Sequence, residues 1–431
     1  MGLLVEDDDY QNKTENKTKE YKLIADKNGK VNFPNEIRKK LGLKEGAKLR
    51  FVAHKDRIEL FPNIHSLSKL YIEPTSLCNL MCQTCVRNTW NELMGEMDIK
   101  TFDQIIEQLK VFNELQTVMF GGFGEPTFHK DILYMISRVK SLGIKAEMVS
   151  NGTLLDEVMV KGLFENKLNT LWISFDGSDE HTFKGIRKGA NYNNVIENLK
   201  ILKSLNRKSS HKIKVGIAVV AMKQNINGLS DLDKLAKTIG ASMILISNVL
   251  PYSRDMVDQM LCYWSVAFNE LPNSLAISLP LIDFNNSTKE PLFNLFKSNN
   301  NNVSIMNNLI GIKTPECKFI KERCTFIRWD GMVSPCMGLL HTNKTYPYTQ
   351  NKFEREAKEY TLGNLSTKSL KDIWDSQEYM NFRDKVDAFE FSPCLKCGPC
   401  DFAENNTEDC FGNTFPTCGG CLWAQGVIQC P

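Results

Sequence analysis

From residue 70 the chain keeps one rhythm of strand, turn and helix, with six short apolar runs separated by helical stretches. The strand-like runs fall at 70–74, 117–120, 145–149, 170–175, 212–221 and 243–250. Helical stretches lie between them near 101–115, 130–142, 155–166, 193–205 and 226–239. Strands alternating with helices predict an α/β fold of parallel units joined by right-handed crossovers. In such folds the loops that follow the strands gather on one face and carry the chemistry.

The first of those loops is the most informative. It reads Glu73-Pro-Thr-Ser-Leu-Cys78-Asn-Leu-Met-Cys82-Gln-Thr-Cys85, a Cys-x3-Cys-x2-Cys spacing. Three thiolates on one short loop can hold three irons of a cubane, and no fourth cysteine follows nearby. An iron left with an open position can chelate a small molecule and pass it an electron. A structural zinc or an oxidised cysteine pair is the plainer alternative for this triad.

Cysteine usage supports metal work. The 431 residues, enough for two or three domains, contain 14 cysteines. No apolar run approaches membrane-spanning length, and the acidic start Met1-Gly-Leu-Leu-Val-Glu-Asp-Asp-Asp lacks the features of a signal peptide. A cytoplasmic location is expected, and in that reducing compartment cysteines serve metals or redox chemistry more than disulfides. A net charge of +2 gives no global sign of a nucleic-acid partner. Cys262 stands alone and is expected to be a small buried hydrophobe.

Other strand ends carry small polar residues. The second runs into Gly121-Gly-Phe-Gly124-Glu125-Pro126, where glycines allow close backbone approach to a ligand. The third ends in Ser150-Asn151-Gly-Thr and the fourth in Ser174-Phe-Asp176-Gly. Singly these read as turn or cap residues; together, on consecutive strand ends, they suggest a polar ligand. Arg187 offers a planar fork that suits a carboxylate.

The last third holds ten cysteines, as Cys317-x6-Cys324-x6-Gly331-x4-Cys336, Cys394-x2-Cys397-x2-Cys400-x9-Cys410 and Cys418-x2-Cys421-x8-Cys430. Two readings fit the spacing. Cys394, Cys397, Cys418 and Cys421 match a zinc ribbon. Cys394, Cys397 and Cys400 match the start of a ferredoxin-type run, completed by a distant cysteine. Zinc would leave six of the ten unexplained, whereas two cubanes would use seven or eight.

Ahead of the repeating part, residues 1–20 are polar and expected to be a flexible tail. Residues 21–63 form a separate unit: strand pieces around an Asn28-Gly29 turn, a short helix opened by Pro34, and a hairpin pairing Leu49–Val52 with Ile58–Leu60. Arg38, Lys39, Lys40, Lys44, Lys48 and Arg50 make it locally basic. Residues 251–316 read as an irregular connection with helical pieces and an Asn-rich loop at 298–302.

The triad, with Thr84 where an aromatic residue is common, resembles the signature of radical S-adenosylmethionine (SAM) enzymes. The resemblance implies a partial (β/α)6 barrel over 68–250 with a four-iron cluster at Cys78, Cys82 and Cys85. SAM would sit on the open iron and be cleaved there to methionine and a 5′-deoxyadenosyl radical. Gly124, Glu125 and Pro126 would cradle its amino group, and Ser150, Asn151, Ser174, Asp176 and Arg187 would meet its carboxylate and ribose. Ser247-Asn248-Val-Leu250-Pro251 would face the adenine.

Asp330-Gly331-x-Val333-x-Pro335-Cys336 resembles a SPASM extension over 317–431 that carries auxiliary iron–sulfur clusters. By that resemblance one cluster would use Cys317, Cys324, Cys336 and a later cysteine. The other would use Cys394, Cys397, Cys400 and one of Cys410, Cys418, Cys421 and Cys430. The later cysteines depart from the usual Cys-x2-Cys-x5-Cys-x3-Cys order. The unit at 21–63, by its pattern from Gly29 to Leu49, is similar to the AbrB/SpoVT swapped-hairpin domain, which implies a homodimer.

With the closing Cys418-Gly-Gly-Cys421-Leu-Trp run, the whole resembles the maturases of tungsten cofactor oxidoreductases. That implies a tungsten-containing aldehyde:ferredoxin oxidoreductase or its cofactor as partner, and a low-potential donor such as ferredoxin. A peptide-modifying SPASM maturase and an iron–sulfur DNA-binding regulator are the alternative functions.

Overall fold

The computed structural model describes residues 24, 26–41, 50–53, 58–61, 63–262, 287–288, 290, 302–305, 316–348, 353–392, 394–397 and 400–431. The chain divides into two compact units at Asn63 and Ile64. The tail expected at 1–20 lies outside the described residues, as do the side chains of Lys39, Lys40, Lys44, Lys48 and Arg50.

In the first unit Asp26 and Lys30 close a tight turn, with Gly29 N–H donating to the Asp26 carbonyl at 2.9 Å. Helix α1 (Asn35–Leu41) follows Pro34, and strands β1 (Arg50–Ala53) and β2 (Ile58–Phe61) pair antiparallel with Arg50 opposite Phe61. Proline opens the helix because its missing N–H falls where the first turn has no internal acceptor for it.

The second unit is built on a mixed sheet. Strands β3 (Lys69–Ile72), β4 (Thr117–Phe120), β5 (Lys145–Ser150), β6 (Thr170–Ser174), β7 (Lys214–Ala221) and β8 (Met243–Asn248) lie side by side in sequence order, all parallel. Leu70, Ile72, Val118 and Phe120 are fully buried, as expected for strands covered on both faces. The connecting helices α2 (Ile99–Leu109), α3 (Ile132–Ser141), α4 (Glu157–Glu165), α5 (Glu180–Ile186), α6 (Tyr192–Lys208) and α7 (Leu232–Ile239) follow their strands. Helix α2 shows the local logic. Asp98 caps it by accepting from Thr101 N–H at 2.9 Å, and Phe102, Ile105, Ile106 and Leu109 recur on its buried face.

Three features depart from the expectation. The first strand stops at Ile72, because Pro74 has no N–H to donate to a ladder. Helix α5 is an extra turn, capped by Asp179 before the long α6. The sheet also extends past both expected edges. Strand β9 (Asn302–Ile305), inside the stretch read as a connection, joins β8 in parallel. Strand β10 (Cys324–Ile327) joins β3 in parallel, and β11 (Met332–Ser334) and β14 (Gly363–Asn364) follow antiparallel. A separate hairpin, β12 (Asn343–Tyr348) with β13 (Phe353–Ala357), stands over the cysteine-rich end. The C-terminal part is thus tied to the edge of the first sheet strand. No helix among the described residues is long and apolar enough to cross a membrane.

Candidate functional site

The loop after β3 is pinned at its base. Thr75 Oγ1 donates to the Gly95 carbonyl at 2.9 Å, Gly95 N–H to Ser76 Oγ at 2.9 Å, and Met97 N–H to the Pro74 carbonyl at 2.8 Å. Arg87 fixes the loop's interior, donating to the Ser76 carbonyl at 3.0 Å, the Leu80 carbonyl at 3.2 Å and Cys85 Sγ at 3.2 Å. Leu80 N–H points at Cys78 Sγ at 3.4 Å, and Arg187 Nη1 approaches Cys82 Sγ at 3.8 Å. Each sulfur of the triad therefore faces a donor, the environment a thiolate or a cluster sulfur ligand needs. Burial raises the Cys78 and Cys82 thiols above their ordinary range, with Arg87 and Arg187 acting against it. A bound metal centre would deprotonate such thiols outright.

The glycine turn after β4 packs directly on this loop. A Cβ at Gly124 would overlap the Thr75 carbonyl oxygen, and Glu125 N–H donates to the Leu77 carbonyl at 2.8 Å. Glycine is required there so that two backbones can touch. Glu125 is buried with both oxygens engaged: Oε1 accepts from Thr127, and Oε2 accepts from Asn151 N–H at 2.7 Å. Burial raises its pKa, while those donors pull it back. Its visible work is joining the second strand end to the third. Asn151 Nδ2 reaches Asn79 Oδ1 at 3.0 Å and Cys78 Sγ at 3.8 Å, which links the third strand end to the cysteine loop.

These elements enclose a cavity of about 220 Å³. Its walls carry Cys78, Cys82, Thr84 and Cys85 together with Gly124, Glu125, Pro126, Ser150, Asn151, Ser174 and Arg187. Asp176 stands one layer back. Its Oδ1 accepts from Val220 N–H at 2.8 Å, and its Oδ2 lies 2.8 Å from Arg187 Nη2 without an aligned hydrogen bond. Asp176 thus acts on the cavity through Arg187, whose own Nε is buried with no hydrogen-bond partner. Three thiols on one wall, the Arg187 guanidinium on another and a glycine-lined floor fit a cluster with an anionic small-molecule ligand.

Ser247 and Asn248 turn elsewhere. Ser247 Oγ accepts from Gln429 N–H at 2.8 Å, and Asn248 Nδ2 donates to the Val427 carbonyl at 3.1 Å. Leu250 alone of that run faces the cavity.

One cluster of residues escaped the sequence reading. His341, 2% exposed, donates from both ring nitrogens, to Glu73 Oε2 at 3.0 Å and Glu92 Oε2 at 2.7 Å. The other oxygen of Glu73 accepts from Phe123 N–H at 3.0 Å, inside the glycine turn. Trp90 stacks on the imidazole at 4.3 Å and Phe123 meets it edge-on at 5.7 Å. Burial alone would lower the pKa of His341, but its hydrogen bonds to Glu73 and Glu92 raise it to about 9. The partners are 268 residues apart for Glu73, so no local spacing could reveal them.

At the cysteine-rich end a second, tighter cavity of about 50 Å³ is walled by Cys317, Cys336, Cys418 and Cys421. Burial raises all four thiols, Cys317 to about 12. Cys324, expected in this group, is fully buried in β10 and does not line the cavity. Cys418 and Cys421 therefore line a cavity with Cys317 and Cys336, which Cys394, one of the zinc-ribbon partners their spacing suggested, does not line. Cys394 and Cys397 share one helical turn (Cys394–Cys397), with Cys400 just beyond; the Cys397 side chain lies outside the described residues. Cys400 and Cys410 are exposed, and Cys430 Sγ accepts from Trp423 Nε1 at 3.2 Å. Cys262 is fully buried. Among the described residues no three His, Cys, Asp or Glu side chains converge where a single ion could sit. Thiols spread around a cavity suit a multi-atom cluster better than the tight tetrahedron of zinc.

Comparison with known proteins agrees with this geometry. Residues 72–235 match the radical SAM superfamily and residues 317–413 match the SPASM iron–sulfur cluster-binding domain. The chain is 31% identical over 370 residues to the tungsten-containing aldehyde ferredoxin oxidoreductase cofactor-modifying protein of Pyrococcus furiosus, covering 84% of this chain and 96% of that one. It is 29% identical over 158 residues to the Fe-coproporphyrin III synthase of Methanosarcina barkeri, covering 36% and 37% of the two chains. Among solved structures it resembles Streptococcus suis SuiB bound to S-adenosylmethionine, with a TM-score of 0.51 and 20% identity over 78% of this chain and 71% of that one. The structure of anSMEcpe with bound AdoMet gives a TM-score of 0.50 and 20% identity over 78% and 88%. With its thiol triad at the end of the first strand of a parallel sheet and a cysteine-lined C-terminal domain, this chain belongs to the radical SAM superfamily and is a SPASM-bearing enzyme that works with SAM and iron–sulfur clusters.

Proposed function

We propose that this enzyme matures a tungsten-containing aldehyde ferredoxin oxidoreductase, acting on that protein or on its cofactor. The observation that carries this reading is the similarity to a cofactor-modifying protein of such an enzyme, which extends over 96% of that relative and so embraces barrel and SPASM domain together. Cys78, Cys82 and Cys85 would hold the cluster, and the SAM carboxylate would meet Arg187. When bound, the reduced cluster supplies the electron that splits SAM into methionine and a 5′-deoxyadenosyl radical.

The chain's own residues do the positioning. Asp176 holds the Arg187 guanidinium by ion pairing, which keeps its charge on the cavity wall. Glu125 locks two strand ends so that the cavity floor does not move when it fills. Arg87 shields the triad loop by occupying its inward carbonyls.

Cys317, Cys336, Cys418 and Cys421 would hold one auxiliary cluster, and Cys394, Cys397 and Cys400 would supply the second. The helix-and-hairpin unit before Asn63 is read as an AbrB/SpoVT-like element that dimerises or docks the partner.

Complementation tests the assignment. In cells lacking this gene, wild type should restore activity of the tungsten enzyme and Cys82→Ala should not. Full activity of the tungsten enzyme with Cys82→Ala would overturn the reading.

A further inference from the structure

We infer that Arg355 is a shared cation for the two auxiliary clusters, a positioning residue that raises the reduction potential of both. The inference rests on the ligand groups proposed above.

Arg355 lies on β13 and is 4% exposed. Its guanidinium covers the backbone of Gly420, so closely that a Cβ there would lie 2.6 Å from Cζ. Gly420 sits between Cys418 and Cys421, and Arg355 itself lines the cavity those thiols share with Cys317 and Cys336. From the same position Nη1 donates to the Ala403 carbonyl at 2.6 Å, in the turn that follows Cys400. The backbone repeats this link one residue on, where Glu356 N–H donates to the Glu404 carbonyl at 2.8 Å. The neighbouring Gly419 touches the other group, since a Cβ there would overlap the Ser392 carbonyl, two residues before Cys394. One rigid cation is thus wedged between both sets of thiols.

A cluster gains negative charge when it accepts an electron, so a fixed cation stabilises the reduced form, and charge near a cluster is one of the terms that sets its potential. The planar fork explains why arginine serves here. It stacks flat on a glycine while still donating sideways, which an ammonium cannot do.

The test is an EPR-monitored redox titration of anaerobically reconstituted full chain in a Cys82→Ala background, so that the auxiliary clusters titrate alone. Arg355→Met and Arg355→Gln remove the charge, and the glutamine keeps a donor for Ala403. Each neutral variant should lower the reduced-to-oxidised ratio of both clusters about tenfold at fixed ambient potential, a shift of about 59 mV for one electron. Arg355→Lys should keep both within about threefold of the parent. Movement of one cluster alone, or of neither, in a neutral variant that retains its iron overturns the inference. A parent that holds about four irons instead of about eight refutes the two-cluster reading beneath it, a separate failure.

Discussion

His341→Gln removes the buried cation that joins the C-terminal domain to the first strand end, and its cost should depend on pH. The groups facing His341 are Glu73 and Glu92, with Arg328 4.0 Å from Glu92 and the neutral rings of Trp90 and Phe123 around it. Its pKa rises from an ordinary 6.5 to about 9 on folding. At about 1.36 kcal/mol per unit, protonation contributes on the order of 3 kcal/mol to the folded state. Because the folded value is the higher one, that contribution is complete below about pH 6.5 and is lost as pH rises through about 9. The assay is denaturant unfolding of wild type and His341→Gln, anaerobically, from pH 6 to 10. The stability gap should be widest near pH 6 and shrink steadily towards pH 10. A gap that stays constant across that range would show that His341 is not held as a cation, and the reasoning would fail.

Further outcomes follow from other contacts. Gly124→Ala forces a methyl into the Thr75 carbonyl and should destabilise the fold by about 1–3 kcal/mol while weakening SAM binding, read by thermal unfolding and calorimetry. Cys336→Ser should cost about four irons per chain, whereas Cys324→Ser, outside the cavity, should leave the iron count unchanged; equal loss from both would restore Cys324 as a ligand. Asp176→Asn frees Arg187 from its ion pair and should raise the Kd for SAM several-fold with the four-iron signal intact, while an unchanged Kd would remove Asp176 from the site.

Much of the barrel was legible because its signals are local. The strands from Lys69 to Asn248 are apolar runs bounded by turns, and the triad's chemistry is written in the spacing of Cys78, Cys82 and Cys85. Seven of the eight residues expected at the amino group, carboxylate and ribose of SAM line one cavity, since six of them lie at or just past strand ends that parallel strands bring together, and Arg187 closes helix α5 beside them. Asp176 differs because it lies past the end of the strand, where its carboxylate turns back to accept from Val220 N–H. What could not be read is what depends on long loops closing. Nothing near Cys418 announces that it faces Cys317, and His341 carries no motif at all. Strand β9 was hidden by its asparagine-rich surroundings, which resemble a loop in composition although Asn302–Ile305 pairs with β8.

Leu250 borders both cavities, the one that holds the triad and the one walled by Cys317, Cys336, Cys418 and Cys421. At Leu250 the two chambers are therefore separated by a single hydrocarbon side chain. Such a wall keeps water and ions of one chamber out of the other, yet it is a poor dielectric shield. A change of charge on either side is felt on the other with little screening. Thickening or thinning that one residue would retune how strongly the two halves of the enzyme sense each other while leaving every sulfur in place.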